Sequence, residues 1–164
     1  MPSRTTVIAY ISSIMLLVYV VLTLCKHTNP ASVLGILGSI LTLEYLAIPL
    51  IASLGIDPFQ SLTVTYLTNV SIFIIFLYSL DYALLFRKIG LFTLRIRRWV
   101  KRSYGYVMLA PSPIVLGMIG TATVVWLLGL DKKKSIPIIL STALAIHLVI
   151  YLSYIGVLTL VKIL

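Results

Sequence analysis

Three polar side chains set in apolar surroundings carry most of the chemistry this sequence offers: Glu44, Asn69 and His147. Glu44 is flanked on both sides by long apolar sequence, and a carboxylate at membrane depth is costly enough that function is its default reading. Such a group can take up and release a proton. Near a segment end it would instead be a solvated side chain. His147 falls near the middle of an apolar run, where a neutral imidazole can relay protons or bind a polar group, or can simply be a hydrogen-bonded packing residue. Asn69, with Thr65, Thr68 and Ser71 nearby, can bond to irregular backbone or hold helices together.

A second constellation lies in residues 103–130, a run of 28 residues without charge. Pro111, Pro113, Gly117 and Gly120 interrupt it, because proline lacks the amide donor and glycine weakens helical preference. Irregular backbone at membrane depth persists only where protein covers it or water reaches it. With the hydroxyls of Ser112 and Thr121, the exposed peptide groups could coordinate a headgroup or an ion, or could only shape a turn. Pro49 plays the same interrupting part a few residues after Glu44.

The elements that hold these residues follow from composition. The 164 residues are 60% hydrophobic and 10% charged, against roughly a quarter charged in soluble domains, and mean hydropathy is +1.13. An integral membrane protein with no separate soluble domain is expected. The net charge of +9 sits mainly at segment ends, where orientation and anionic lipid explain it, so nucleic-acid binding is not expected. The single Cys25 excludes an internal disulfide.

Residues 5–25 are long enough for a first span, and the run exceeds the apolar core of a cleaved signal peptide. Residues 31–56, with Glu44 and Pro49, read as a broken segment. A second span is expected over 59–86, and a third over 135–161. Basic clusters flank 103–130 at both ends: Arg95, Arg97, Arg98, Lys101 and Arg102 before it, Lys132 to Lys134 after it. Positive charge is retained on the cytoplasmic side. Residues 104–130 are therefore expected to enter and leave on that side as a re-entrant hairpin, and 31–56 to form a second hairpin from the other side. This puts the N-terminus inside, the C-terminus outside, and 11 of the 13 basic residues inside, all except Lys26 and Lys162. Five full spans are the competing arrangement. Residues 88–103 read as an amphipathic helix on the cytoplasmic surface, with Ile89, Phe92, Ile96, Trp99 and Val100 on one arc.

An internal repeat is visible in Leu54-Gly55-Ile56-Asp57 followed by Ser61, against Leu128-Gly129-Leu130-Asp131 followed by Ser135. A second match, residues 33–39 against 115–121, needs a gap between the two. With Asp57 outside and Asp131 inside, the halves would have inverted topology, a transporter feature.

The pattern resembles the small multi-drug export family, itself similar in hairpin plan to the DedA membrane proteins. The features that carry the resemblance are Glu44 ahead of Ala47-Ile48-Pro49, Leu54-Gly55 with Pro58, Asn69, Tyr104-Gly105, Pro111-Ser112-Pro113, Gly120, and Leu128-Gly129 before a basic triplet. They cover 43–135, over half the chain. Tyr45 and Leu46 stand where the family has arginine and glycine, and Ile114 where it has glycine. The resemblance implies export of small molecules or movement of a lipid carrier across the bilayer.

The expectation is an all-α membrane domain of three spans, two opposed re-entrant hairpins and a surface helix, in contact with membrane lipids and a small-molecule or lipid-carrier substrate. A proton-coupled pathway would use Glu44, Pro49, Asn69, Pro111, Ser112, Pro113, Gly117, Gly120, Thr121 and His147. The chain has no paired-carboxylate motif, no cysteine or histidine cluster and no phosphate-binding glycine loop, so neither enzymatic activity nor a metal or cofactor is expected. A homodimer would cover the two hairpins. The rival class is a non-transporting membrane subunit packed against a partner protein.

Overall fold

The computed structural model describes residues 4–83 and 102–163, so the amphipathic helix expected over 88–103 lies outside the described residues except for its last two. Every described element is helical: α1 (Arg4–Cys25), α2 (Pro30–Leu43), a single 3₁₀ turn (Glu44–Leu46), α3 (Ala47–Ser53), α4 (Pro58–Ala83), α5 (Arg102–Leu109), α6 (Ser112–Leu128) and α7 (Lys132–Ile163). Four helical stretches among them are long and apolar enough to cross a membrane: Thr6–Cys25, Pro30–Ser53, Pro58–Asp81 and Lys132–Val161. The chain is an all-α, multi-pass membrane protein. Its sequence suggests three spans; the fourth stretch reaches spanning length only when both sides of an internal break are added together. Alone, the 14 residues of α2 extend about 21 Å, short of a hydrocarbon core of about 30 Å.

That break is at Glu44, whose φ of 49° and ψ of −109° end α2. A non-glycine residue with positive φ crowds its own Cβ and stores on the order of 1–3 kcal/mol. Restarting the helix there also places Pro49 within the first turn of α3, where a missing N–H breaks no intrahelical bond. At the other end of α2, Asn29 Oδ1 accepts a hydrogen bond from Ser32 N at 2.8 Å, a cap that contributes about 1 kcal/mol. A corresponding break interrupts α6 at Gly117, with φ 67° and ψ −177°. Gly35, matched to Gly117 by the 33–39 and 115–121 alignment, lies inside α2 without positive φ. The two breaks are therefore not at matched positions.

The chain divides into two compact units, 1–13 with 72–142 and 14–71 with 143–164. Each of the long helices α1, α4 and α7 passes from one unit into the other: α1 and α7 begin in the first unit, α4 in the second. In the first unit, Tyr10 of α1 and Ser79 near the end of α4 share a 2.6 Å hydrogen bond between their hydroxyls. In the second, Val20 and Leu24 from the end of α1 join one apolar cluster with Val64 of α4 and with Val33, Ile36, Ile40, Ala47, Ile51 and Ile56. Residues 26–57 begin and end in the second unit.

Within the first unit, α5 and α6 also fold back. Tyr106 Oη accepts a hydrogen bond from Asp131 N at 3.0 Å, and Leu130 Cδ2 stands 2.9 Å from where a Cβ on Gly105 would lie. Any larger residue at 105 would have to displace Leu130.

The Leu-Gly-x-Asp repeat has one local structure in both copies. Gly55 and Gly129 have φ of 88° and 62°, the left-handed turn that glycine adopts without steric cost. Ile56 and Leu130 are buried behind them. Asp57 Oδ1 then accepts from the backbone N–H groups of Phe59 and Gln60 at 2.9 and 3.1 Å, and Asp131 Oδ1 from Lys133 N at 3.0 Å. Ser61 and Ser135 are both fully buried one turn on. One copy starts α4 in the second unit and the other starts α7 in the first. Because Asp131 caps α7, the helix begins at Lys132, three residues earlier than the charge pattern suggests. Pro137 is thus an interior residue of α7, and its missing N–H leaves the Lys133 carbonyl without its helical donor.

Candidate functional site

The polar centre of the second unit forms because α4 carries its polar residues on a shared face. Ser61, Thr65, Thr68 and Asn69 are all buried, and spacings of three and four bring them onto one side of a helix. Three of them satisfy themselves: Ser61, Thr65 and Thr68 donate to the carbonyls of Asp57, Ser61 and Val64 at 3.0, 2.8 and 2.8 Å. Asn69 cannot reach its own backbone in this way and needs a tertiary partner.

That partner is His147. On α7 the fully buried residues Ser135, Ile139, Ala143 and His147 recur every four positions, a single inward line on an apolar helix whose other described side chains are half-buried or exposed. Asn69 Nδ2 lies 3.2 Å from His147 Nε2, and His147 Nδ1 lies 2.7 Å from the Ala143 carbonyl oxygen. A carbonyl only accepts, so Nδ1 carries the proton. In the neutral ring Nε2 is then an acceptor, and it meets the donor end of the Asn69 amide. The geometry describes a neutral imidazole of defined tautomer with both nitrogens satisfied. Asn69 is 11 residues into the 26 of α4, and His147 is 15 residues beyond the start of the 32-residue α7, so both sit near mid-helix.

Two aromatic rings enclose the imidazole. Tyr45 packs with its ring centroid 4.8 Å away at an interplanar angle of 82°, and Tyr66 at 5.3 Å and 84°. Tyr45 comes from the 3₁₀ turn at the break between α2 and α3, so the interrupted segment reaches the mid-helix imidazole. Walls on two sides restrict ring rotation, which leaves the Asn69 amide as the movable member of the pair.

Of the residues singled out in the sequence, Glu44 and Pro49 bracket this aromatic contact and Asn69 and His147 form the pair. Glu44 is half-buried at the break. Pro111, Ser112, Pro113, Gly117, Gly120 and Thr121 belong to the first unit. There Ser112 Oγ donates to the Leu109 carbonyl at 2.9 Å, closing the α5–α6 turn. Thr121 Oγ1 donates to the Gly117 carbonyl at 2.7 Å, across the break in α6. A Cβ on Gly120 would fall 2.7 Å from Leu116 Cβ, so that position is restricted to glycine. Pro111 caps the start of α6 and Pro113 is buried in its first turn.

Tyr45 and Tyr66 were invisible as site residues in the sequence. The only signal for Tyr45 is its place beside Glu44, and Tyr66 differs little from the other tyrosines of an aromatic-rich chain. Among the described residues no group of three His, Cys, Asp or Glu side chains could hold a metal ion. Set against protein-family models, curated proteins and solved structures, the chain matches none, so its function has to be read from these residues.

Proposed function

We propose that this protein is a small proton-coupled transporter or lipid-carrier translocase, with the Asn69–His147 pair as its protonation site and Glu44 at the mouth of the same centre. The observation that carries the reading is a buried neutral imidazole whose one acceptor nitrogen is held by an amide. A proton added at Nε2 turns that acceptor into a donor. Asn69 must then rotate its amide to present Oδ1, which is a self-consistent second state because amide oxygen and nitrogen exchange places with little change in shape. The pair is thus a two-state element near mid-helix, where coupling sites of secondary transporters form beside interrupted helices.

In a bilayer, 31–56 and 104–130 would be re-entrant hairpins, and the two Leu-Gly-x-Asp junctions the marks of an inverted repeat. The return of 26–57 to the unit in which they begin, that of Asp131 to Tyr106, and one capped junction in each unit support this. The N-terminus would then lie on the cytoplasmic side with the Lys132 triplet, and the C-terminus outside. The expected partners are membrane lipids, the transported molecule and a second copy of the chain. The resemblance to the small multi-drug export and DedA proteins agrees with the same plan.

The test is translocation of fluorescent polyprenyl phosphate, phospholipid or a cationic dye in proteoliposomes, with and without an imposed pH gradient. Gradient-dependent movement by the wild type, lost in His147→Gln and in Glu44→Gln while both variants stay folded, is the expected result. Movement equal to that of empty liposomes for every probe would turn the reading toward a membrane subunit acting through a partner protein.

A further inference from the structure

The second unit contains a groove that the proposed proton site does not use. It has a volume of about 310 Å³ and is lined by Tyr19 and Thr23 of α1 and by Phe59, Gln60, Thr63 and Val64 of α4. At about 100° per residue, Gln60 lies on the side of α4 opposite Asn69 and Thr63 about 120° from it, so the groove and the His147 centre are separate. We infer that this groove binds the glycerol-ester or sugar region of an uncharged, hydroxyl-bearing lipid.

Depth, polarity and charge each point there. Tyr19 is six residues before the end of α1 and Thr63 five after the start of α4, or about 9 and 7.5 Å along the helix axes. Thr23 and Phe59 are nearer the ends. The groove therefore runs from the interfacial layer into the outer hydrocarbon, the depth at which a lipid backbone passes into its chains. Thr23 and Thr63 hydroxyls donate to their own helix carbonyls at 2.9 Å each and keep lone pairs to accept from a ligand. Among the described residues, the Tyr19 hydroxyl and the Gln60 side-chain amide have no partner within the chain. Aromatic walls from Tyr19 and Phe59 suit a sugar face or a glycerol ester. No charged residue lines the groove, so it offers a phosphate no cation to form a charge-assisted hydrogen bond. The apolar groove of the first unit is different, since of its lining residues Met108, Pro111, Ser112, Val115, Leu116 and Val124 only one carries a side-chain polar atom other than sulfur. It offers room for a chain but few groups to hold a head.

The full chain, purified in detergent, would be cross-linked with a photoactivatable monoglucosyl diacylglycerol and the adducts mapped by mass spectrometry. Adducts on residues 19–23 and 59–64, displaced by unlabelled monoglucosyl diacylglycerol and not by phosphatidylglycerol, are expected. Gln60→Leu and Tyr19→Phe each remove side-chain groups without changing packing much. Each should reduce labelling about fivefold per lost hydrogen bond, with the melting temperature unchanged. Equal labelling in both variants, or equal displacement by phosphatidylglycerol, would overturn the inference. Displacement by free glucose alone would also overturn it, assigning the groove to a soluble sugar.

Discussion

Helices α4 and α7 are tied together twice, by opposite chemistry. In the first unit Lys132 Nζ reaches Asp81 Oδ2 at 2.6 Å and the Leu77 carbonyl at 3.3 Å, and sits 4.3 Å from the centroid of the Tyr78 ring. In the second unit Asn69 meets His147 without formal charge. The side chains of Lys132 and Asp81 are 23% and 47% exposed, whereas Asn69 and His147 are 3% and 0% exposed. An ion pair open to solvent contributes about 0–1 kcal/mol because water and salt screen it. A buried polar pair behaves differently: losing one member strands the other, at about 1–3 kcal/mol. The contrast separates two tasks. The charged tie can open at low cost, and the neutral pair holds unless a proton rewrites its donor and acceptor.

The largest expected effect breaks the neutral tie. Asn69→Leu should lower stability by about 1–3 kcal/mol by stranding His147 Nε2, read as a drop in melting temperature in detergent. Asn69→Leu combined with His147→Leu should cost less than the sum of the two single changes, since no polar atom then remains to strand. Additive losses would show that the two side chains contribute independently. Backbone strain is of similar size: Gly117→Ala should cost about 1–3 kcal/mol by placing a Cβ in a region of positive φ that only glycine adopts. Glu44→Gly, relieving the corresponding strain in the other unit, should raise the melting temperature and, on the proposed mechanism, remove proton coupling. A stabilised variant that still couples would remove Glu44 from the mechanism.

The repeated junctions sharpen the comparison. Asp57→Ala and Asp131→Ala should each cost about 1 kcal/mol, and similar losses would mark the two caps as equivalent. Smallest is Lys132→Gln, expected to cost under about 1 kcal/mol and to lose even that at high salt. A salt-independent loss several times larger would mean that the charged tie is structural after all.

Long uncharged runs made the helical membrane architecture legible, because a bilayer imposes length and apolarity on any segment that crosses it. The start of α7 was not legible, since three lysines read as a flank and only the Asp131 cap places them inside the helix. Proline and glycine announced irregular backbone in residues 103–130, but only dihedral angles distinguish Gly117, which breaks its helix, from Gly35, its counterpart in the first segment, which does not. In the first segment the break is at Glu44, a residue type that gives no conformational signal. Asn69 and His147 each stood out as polar in apolar surroundings, yet their pairing joins positions 78 residues apart. Periodicity reports which face of a helix is polar and not which helix it meets. Tyr45 and Tyr66 were missed for the same reason.

The most direct test of the central claim is the ¹⁵N NMR spectrum of the histidine side chains as pH is lowered. The chain has only two histidines and His27 is exposed, so the buried signal is assignable at once. His147 should be neutral and protonated at Nδ1 at high pH, then pass to imidazolium with an accompanying shift of the Asn69 amide resonance. Protonation at Nε2 in the neutral state, or an Asn69 amide indifferent to the titration, would contradict it.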